Sequence, residues 1–175
     1  TFRNGNRPGQ IGITLDLTHV YGEPEAGRRL DGHRNRWFLD PLLRGGYPAD
    51  MVDLYEERIG PLDFVVDGDF EEIAVPIDFL GINFYQPAIV RGRDDDGPVG
   101  VEEIPDDTAR TAMGWRVQPD SLTDLLVRLT PIVSGGRVFA FAPRGIFEID
   151  TTNGDTARIL RGADLLVLDE PTSNL

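Results

Sequence analysis

The run Ile77 to Tyr85, IDFLGINFY, decides how this sequence folds. Its apolar character is nearly continuous and rich in aromatic residues, which suits a strand buried on both faces and so implies a parallel sheet. Upstream, Ile11 to Leu17 (IGITLDL) is a second apolar run with β-branched residues, set off by the Pro8-Gly9 turn signal, and it reads as a further strand. Between the two runs the period changes. Glu23 to Phe38 reads as a helix, with Pro24 in its first turn and Leu30, Arg34, Trp37 and Phe38 at helical spacing; Pro41 is expected to break it before a short Leu42-Leu43 turn. Tyr47-Pro48-Ala49-Asp50 starts a second helix, in which Met51, Leu54 and Tyr55 share a face until Gly60-Pro61. Both helices are amphipathic, so the expected class is α/β, with helices covering a parallel sheet.

Composition bounds the chemistry. The chain has 175 residues, enough for one domain or at most two, and no apolar run approaches the roughly 20 residues of a membrane-spanning helix. Thr1 to Gln10 lack the apolar stretch of a signal peptide, so a cytoplasmic location with no membrane partner is expected. Beginning at Thr1 and ending just after an apolar run, the chain reads as a fragment. Seventeen basic against thirty acidic residues leave a net charge of −13, which argues against nucleic acid as a partner. There is no cysteine, hence no disulfide, thiolate metal site or cysteine nucleophile. Lysine is also absent, which excludes Schiff-base chemistry and the lysine of a phosphate-binding loop. His19 and His33 have no partner carboxylate at ligand spacing and read as neither metal ligand nor base. Neither metal nor cofactor is expected.

Downstream of Tyr85, the acidic stretch from Asp94 to Asp107 reads as a solvated loop. Ser121 to Leu129 reads as a helix, with a capping-box pattern at Ser121 and Asp124 and leucines at positions 122, 125, 126 and 129. After Thr130 the texture changes. Arg137 to Ala142 and Gly145 to Asp150 alternate around a Pro143-Arg144-Gly145 turn, an antiparallel hairpin pattern, and Asn153-Gly154 leads to another short stretch at Ile159-Leu160. Residues 1–130 and 131–175 are therefore expected to be separate pieces.

Four motifs, GQIGITLDLTHVY (Gly9 to Tyr21), NRWFLDPLLRGGYPADM (Asn35 to Met51), IDFLGINFYQ (Ile77 to Gln86) and MGWRVQPDSLTDLL (Met113 to Leu126), occur in the order found in family 1 glycoside hydrolases. Residues 1 to 130 resemble that family, the β-glucosidases. The resemblance implies a partial (β/α)8 barrel of about two βα units, its fifth and sixth strands with their helices, followed here by a short hairpin and strand tail. Such barrels carry their chemistry at the C-terminal ends of the strands. The resemblance places Asn83 and Tyr85 beside the sugar, with the Tyr85 hydroxyl supporting the nucleophilic glutamate. It places Trp115 on the aglycone side of the cleft, where its indole face stacks on a ring. Asp16 stands where the family commonly has asparagine near the cleft, an acceptor-only carboxylate replacing an amide. Trp37 reads as a packing residue.

The chemistry so implied is retaining hydrolysis of β-glucosides in carbohydrate metabolism. One carboxylic acid protonates the glycosidic oxygen, and a carboxylate roughly 5 Å away attacks the anomeric carbon. The family's acid lies in an Asn-Glu-Pro motif, which this sequence lacks. Its nucleophile lies in Thr-Glu-Asn-Gly on the strand after the Ser121 helix, where the sequence runs Pro131 to Gly136 (PIVSGG). With neither catalytic glutamate, this chain alone is expected to be inactive, and self-association through unpaired strand edges is expected. The tail, ADLLVLDEPTSNL (Ala163 to Leu175), resembles the Walker B strand of ATP-binding cassette ATPases, which implies magnesium and water contacts at Asp169 and Glu170. Without a lysine-bearing phosphate loop an intact ATPase is excluded. A non-catalytic remnant of such an ATPase and a non-functional mosaic are the alternatives to the hydrolase fragment.

Overall fold

The computed structural model describes residues 9–94 and 97–129, together with the backbone of strands Arg137–Ala142, Gly145–Asp150 and Ala157–Leu160. Two parallel strands, β1 (Gly12–Asp16) and β3 (Phe79–Asn83), lie side by side with Gly12 opposite Phe79 and Asp16 opposite Asn83. β3 is buried through Leu80, Gly81 and Ile82, as its apolar run predicts, whereas Ile13 and Thr14 leave β1 half open as an edge.

Between them the chain forms β2 (Val20–Gly22), α1 (Pro24–Asp31), a π-helical turn at Gly32–Arg36, α2 (Trp37–Arg44), α3 (Ala49–Ile59) and the short α4 (Asp69–Ile73). The helix does not stop at Pro41. It runs on to Arg44: the missing N–H of Pro41 forfeits one bond, yet Leu39 and Pro41 are buried and hold the turn in the core. The π turn has a packing cause in Gly32, where a Cβ would fall 2.2 Å from the Met51 sulfur of α3.

β4 (Ala88–Gly92) and β5 (Val101–Glu103) complete a smaller sheet in the order β2-β4-β5, parallel then antiparallel. β5 lies inside the acidic stretch read from sequence as a solvated loop. Its carboxylates are used: Glu102 pairs with Arg91 at 2.6 Å, and Glu103 and Asp106 face Arg116. The local composition is that of a loop, but pairing with β4 supplies the backbone bonds that make it a strand.

α5 (Asp120–Leu129) follows as predicted, with Leu125 and Leu129 buried. The capping box does not form. Ser121 stands within the helix and donates its hydroxyl to the Gln118 carbonyl, while Asp124 accepts the hydroxyl of Tyr21. Burial, then that carboxylate, push the Tyr21 phenol up to about 12. Beyond α5, β6 (Arg137–Ala142) pairs parallel with β3, and β7 (Gly145–Asp150) and β8 (Ala157–Leu160) follow antiparallel. The five-stranded order is thus β1-β3-β6-β7-β8, and the sheet runs across residue 130. The hairpin expected from sequence is there, and its first strand also closes a β3-α5-β6 unit. The sheet is open: the described residues form an α/β fragment with three parallel strands and no closed barrel. Ala163 to Leu175, with Asp169 and Glu170, lie outside the described residues.

Two apolar clusters hold the elements. Leu17, Leu39, Leu80, Ile82, Phe84, Leu125 and Leu129 pack α2 and α5 on β1 and β3. Ala26, Leu30, Met51, Tyr55, Ala88, Val90 and Val99 pack α1 and α3 on the small sheet. A charged seam joins the helices: Asp31 takes both nitrogens of the Arg128 fork, accepts from Arg36 Nε at 3.1 Å and from Asn35 at 2.6 Å. Arg36 in turn holds Asp50 through two bonds of 2.8 and 2.7 Å.

Candidate functional site

The C-terminal ends of β1 and β3 place Asp16 and Asn83 in one register position, and the Leu17 N–H donates to the Asn83 carbonyl at 3.0 Å. Asp16 is exposed and Asn83 half-buried. Immediately after β3, Phe84 turns into the core and Tyr85 outward, 41% exposed, as alternation along an extended chain requires. The chain is then pinned where the Ala88 N–H donates to the His19 carbonyl at 2.9 Å.

Trp115 reaches Tyr85 from a tight hairpin. The Thr111 N–H donates to the Trp115 carbonyl at 2.9 Å, the Gly114 N–H to the Thr111 carbonyl at 2.9 Å, and the Val117 N–H to Ala109 at 2.8 Å. Gly114 sits at φ +80°, where a side chain would be strained. The Tyr85 and Trp115 ring centres are 5.1 Å apart at 47°, an aromatic pair whose outer face is accessible.

Asp16 belongs to a second feature, a cleft of about 650 Å³ lined by Asp16, Thr18, His33, Arg34, Trp37, Phe38 and Tyr55. Thr18 is fixed there by Asn35, which accepts the Thr18 N–H at 2.9 Å and donates to its carbonyl at 2.7 Å. His33 Nδ1 and the Tyr55 hydroxyl are 2.6 Å apart. Burial, then the Arg34 charge, push the His33 imidazole below its usual range, and burial pushes the Tyr55 phenol up. Trp37 forms a wall of the cleft and stacks on Tyr47 at 4.1 Å.

The expected residues thus fall into two groups. Tyr85 and Trp115 meet; Asp16 and Asn83 are register partners; neither Asn83, Tyr85 nor Trp115 lines the cleft that contains Asp16. Sequence reading passed over His33 and Tyr55, which are 22 positions apart and meet only because α3 folds back on the π turn. Among the described residues no three His, Cys, Asp or Glu side chains come together as a metal site, and no helix is long and apolar enough to cross a membrane.

Residues 1–150 match the family model of glycosyl hydrolase family 1. The chain belongs to that family. This family 1 chain is 37% identical over 137 residues to a bifunctional β-D-glucosidase/β-D-fucosidase of Bifidobacterium breve, which covers 71% of the chain and 29% of the relative. Among solved structures, the AHE enzyme of Alicyclobacillus herbarius superposes with a TM-score of 0.73 at 41% identity, over 78% of this chain and 32% of that one. A β-glucosidase of Exiguobacterium marinum superposes with a TM-score of 0.71 at 34% identity, over 78% and 32%. The chain spans 28 to 32% of the length of the curated relatives it matches. In a family 1 chain the open β1-β3-β6 sheet is a sector of an α/β barrel, and its functional end is the one that carries Asp16 and Asn83.

Proposed function

We propose that this chain is a segment of a retaining β-glucosidase and contributes part of the wall of the sugar cleft, without hydrolysing glycosides by itself. The observation that carries the reading is the placement of Tyr85 and Trp115 as an exposed aromatic pair just beyond the strand ends that hold Asp16 and Asn83. An aromatic face beside an amide, a phenol and a carboxylate suits a β-glucoside, whose ring offers an apolar face and a rim of hydroxyls. Asn83 and Tyr85 serve the sugar, Trp115 the aglycone, and Asp16 accepts a hydroxyl; the glutamates that break the bond come from elsewhere in the family's barrel. The setting is carbohydrate metabolism. The open edge of β1 supports self-association of the isolated chain.

Two measurements test this. The purified chain is expected to release no 4-nitrophenol from 4-nitrophenyl β-D-glucoside, and turnover would refute the inactive assignment. Residues 9–129 are then grafted into the Bifidobacterium breve β-glucosidase in place of its matching segment. A working chimera in which Tyr85→Phe lowers kcat and Trp115→Ala raises KM is expected. A folded chimera indifferent to both substitutions would overturn the roles assigned to them.

A further inference from the structure

We infer that Arg116 is a positioning residue, a buried clamp whose bonds to the small sheet set the place of Trp115 against Tyr85. The inference rests on the sugar-cleft reading for its purpose, though not for its geometry. Arg116 is only 4% exposed, unusual for a guanidinium, and every described bond it makes ties the Trp115 hairpin to another part of the chain. Its Nε donates to Asp106 at 2.5 Å, its Nη1 to Glu103 at 2.9 Å and its Nη2 to the Ile104 carbonyl at 3.0 Å. Nη1 also lies 3.5 Å from the Pro87 carbonyl, and the Arg116 backbone N–H donates to Gln86 Oε1 at 2.9 Å.

Gln86 and Arg116 are the immediate chain neighbours of Tyr85 and Trp115. Bonding one to the other leaves the two rings little choice but to meet, and they do so at 5.1 Å. Within the hairpin, the bonds among Ala109, Thr111, Gly114 and Val117 shape the turn and say nothing about where it sits. Arg116 supplies that location. A planar fork with several donors serves carboxylates and carbonyls at once; a lysine ammonium cannot present the same geometry. The arrangement also gives the acidic stretch a purpose. The guanidinium holds the Asp106 carboxyl well below the usual carboxylate range, so the clamp stays charged in mild acid.

The test uses the full chain labelled with 5-fluorotryptophan. Its two tryptophans give two ¹⁹F resonances, and Trp115→Phe assigns them. In Arg116→Met the Trp115 resonance is expected to shift toward the position of the free, solvated amino acid while that of Trp37, stacked on Tyr47, stays in place. A Trp115 resonance unmoved in a folded Arg116→Met chain would overturn the inference. Should that variant unfold, seen as movement of both resonances, Asp106→Asn decides. It removes one arm and leaves Glu103 and the carbonyls, and a Trp115 resonance unmoved in it would equally overturn the inference. Adding 4-nitrophenyl β-D-glucoside separates this inference from the reading of function. A glucoside that leaves the Trp115 resonance untouched in the unsubstituted chain counts against the sugar-cleft reading alone.

Discussion

The large sheet and the small one hold together by different means. β1 and β3 are joined by apolar side chains packed beneath α2 and α5, whereas β2, β4 and β5 are short and their outer strand is fastened by Arg91 to Glu102 and by Arg116 to Glu103 and Asp106. Hydrophobic burial is non-directional and scales with area, so a long apolar run announces itself in sequence. A charged clamp depends on forked, directional bonds, and its parts look like ordinary surface residues until the chain brings them together. That contrast is why the first sheet was predicted and the outer strand of the second was read as a loop.

The comparison can be broken first at β3. Ile82 is fully buried, and Ile82→Ala should cost about 2–5 kcal/mol by urea unfolding, since the cavity lies between two packed layers. A loss below about 1 kcal/mol would mean that β3 is not the apolar centre described. A smaller effect is expected at the seam between the helices. Asp31 is buried and gathers Arg128, Arg36 and Asn35, so Asp31→Asn, which removes the charge and keeps the shape, should cost about 2 kcal/mol. A neutral result would show that the seam is replaceable and that burial alone joins the helices.

The smallest effect is the pH dependence carried by the histidines. Burial pushes His19 below its ordinary 6.5, with the Asp124 carboxylate opposing and Arg128 reinforcing, and His33 is pushed down as well. The folded state therefore holds these rings neutral. As pH falls below 6.5 the unfolded chain takes up protons first, so stability declines from there down to the folded-state pKa and then levels. NMR titration of the two rings should give values under 6.5, and His19→Gln should flatten part of the slope in the urea midpoint. Ring titrations at or above 6.5 would place both imidazoles in water.

Local pattern carried the strands at Gly12–Asp16 and Phe79–Asn83 and the helices around Met51 and Leu125 because each repeats a simple apolar period. It failed at Pro41, where burial of Leu39 outweighed a lost hydrogen bond, and at Ser121, whose hydroxyl found the Gln118 carbonyl one turn back. It failed also at His33 and Tyr55, which no spacing connects.

The sequence by itself determined the elements, the family and the chemistry that a chain without cysteine or lysine cannot perform. Only the tertiary structure decided that Asp16 stands beside Asn83, that Trp115 leans on Tyr85, and that Arg116 is buried with its carboxylates. Periodicity along a chain reports which face of an element is apolar; strand register and the path of a hairpin across thirty residues are fixed by bonds between distant segments, which exist only once the sheets have formed.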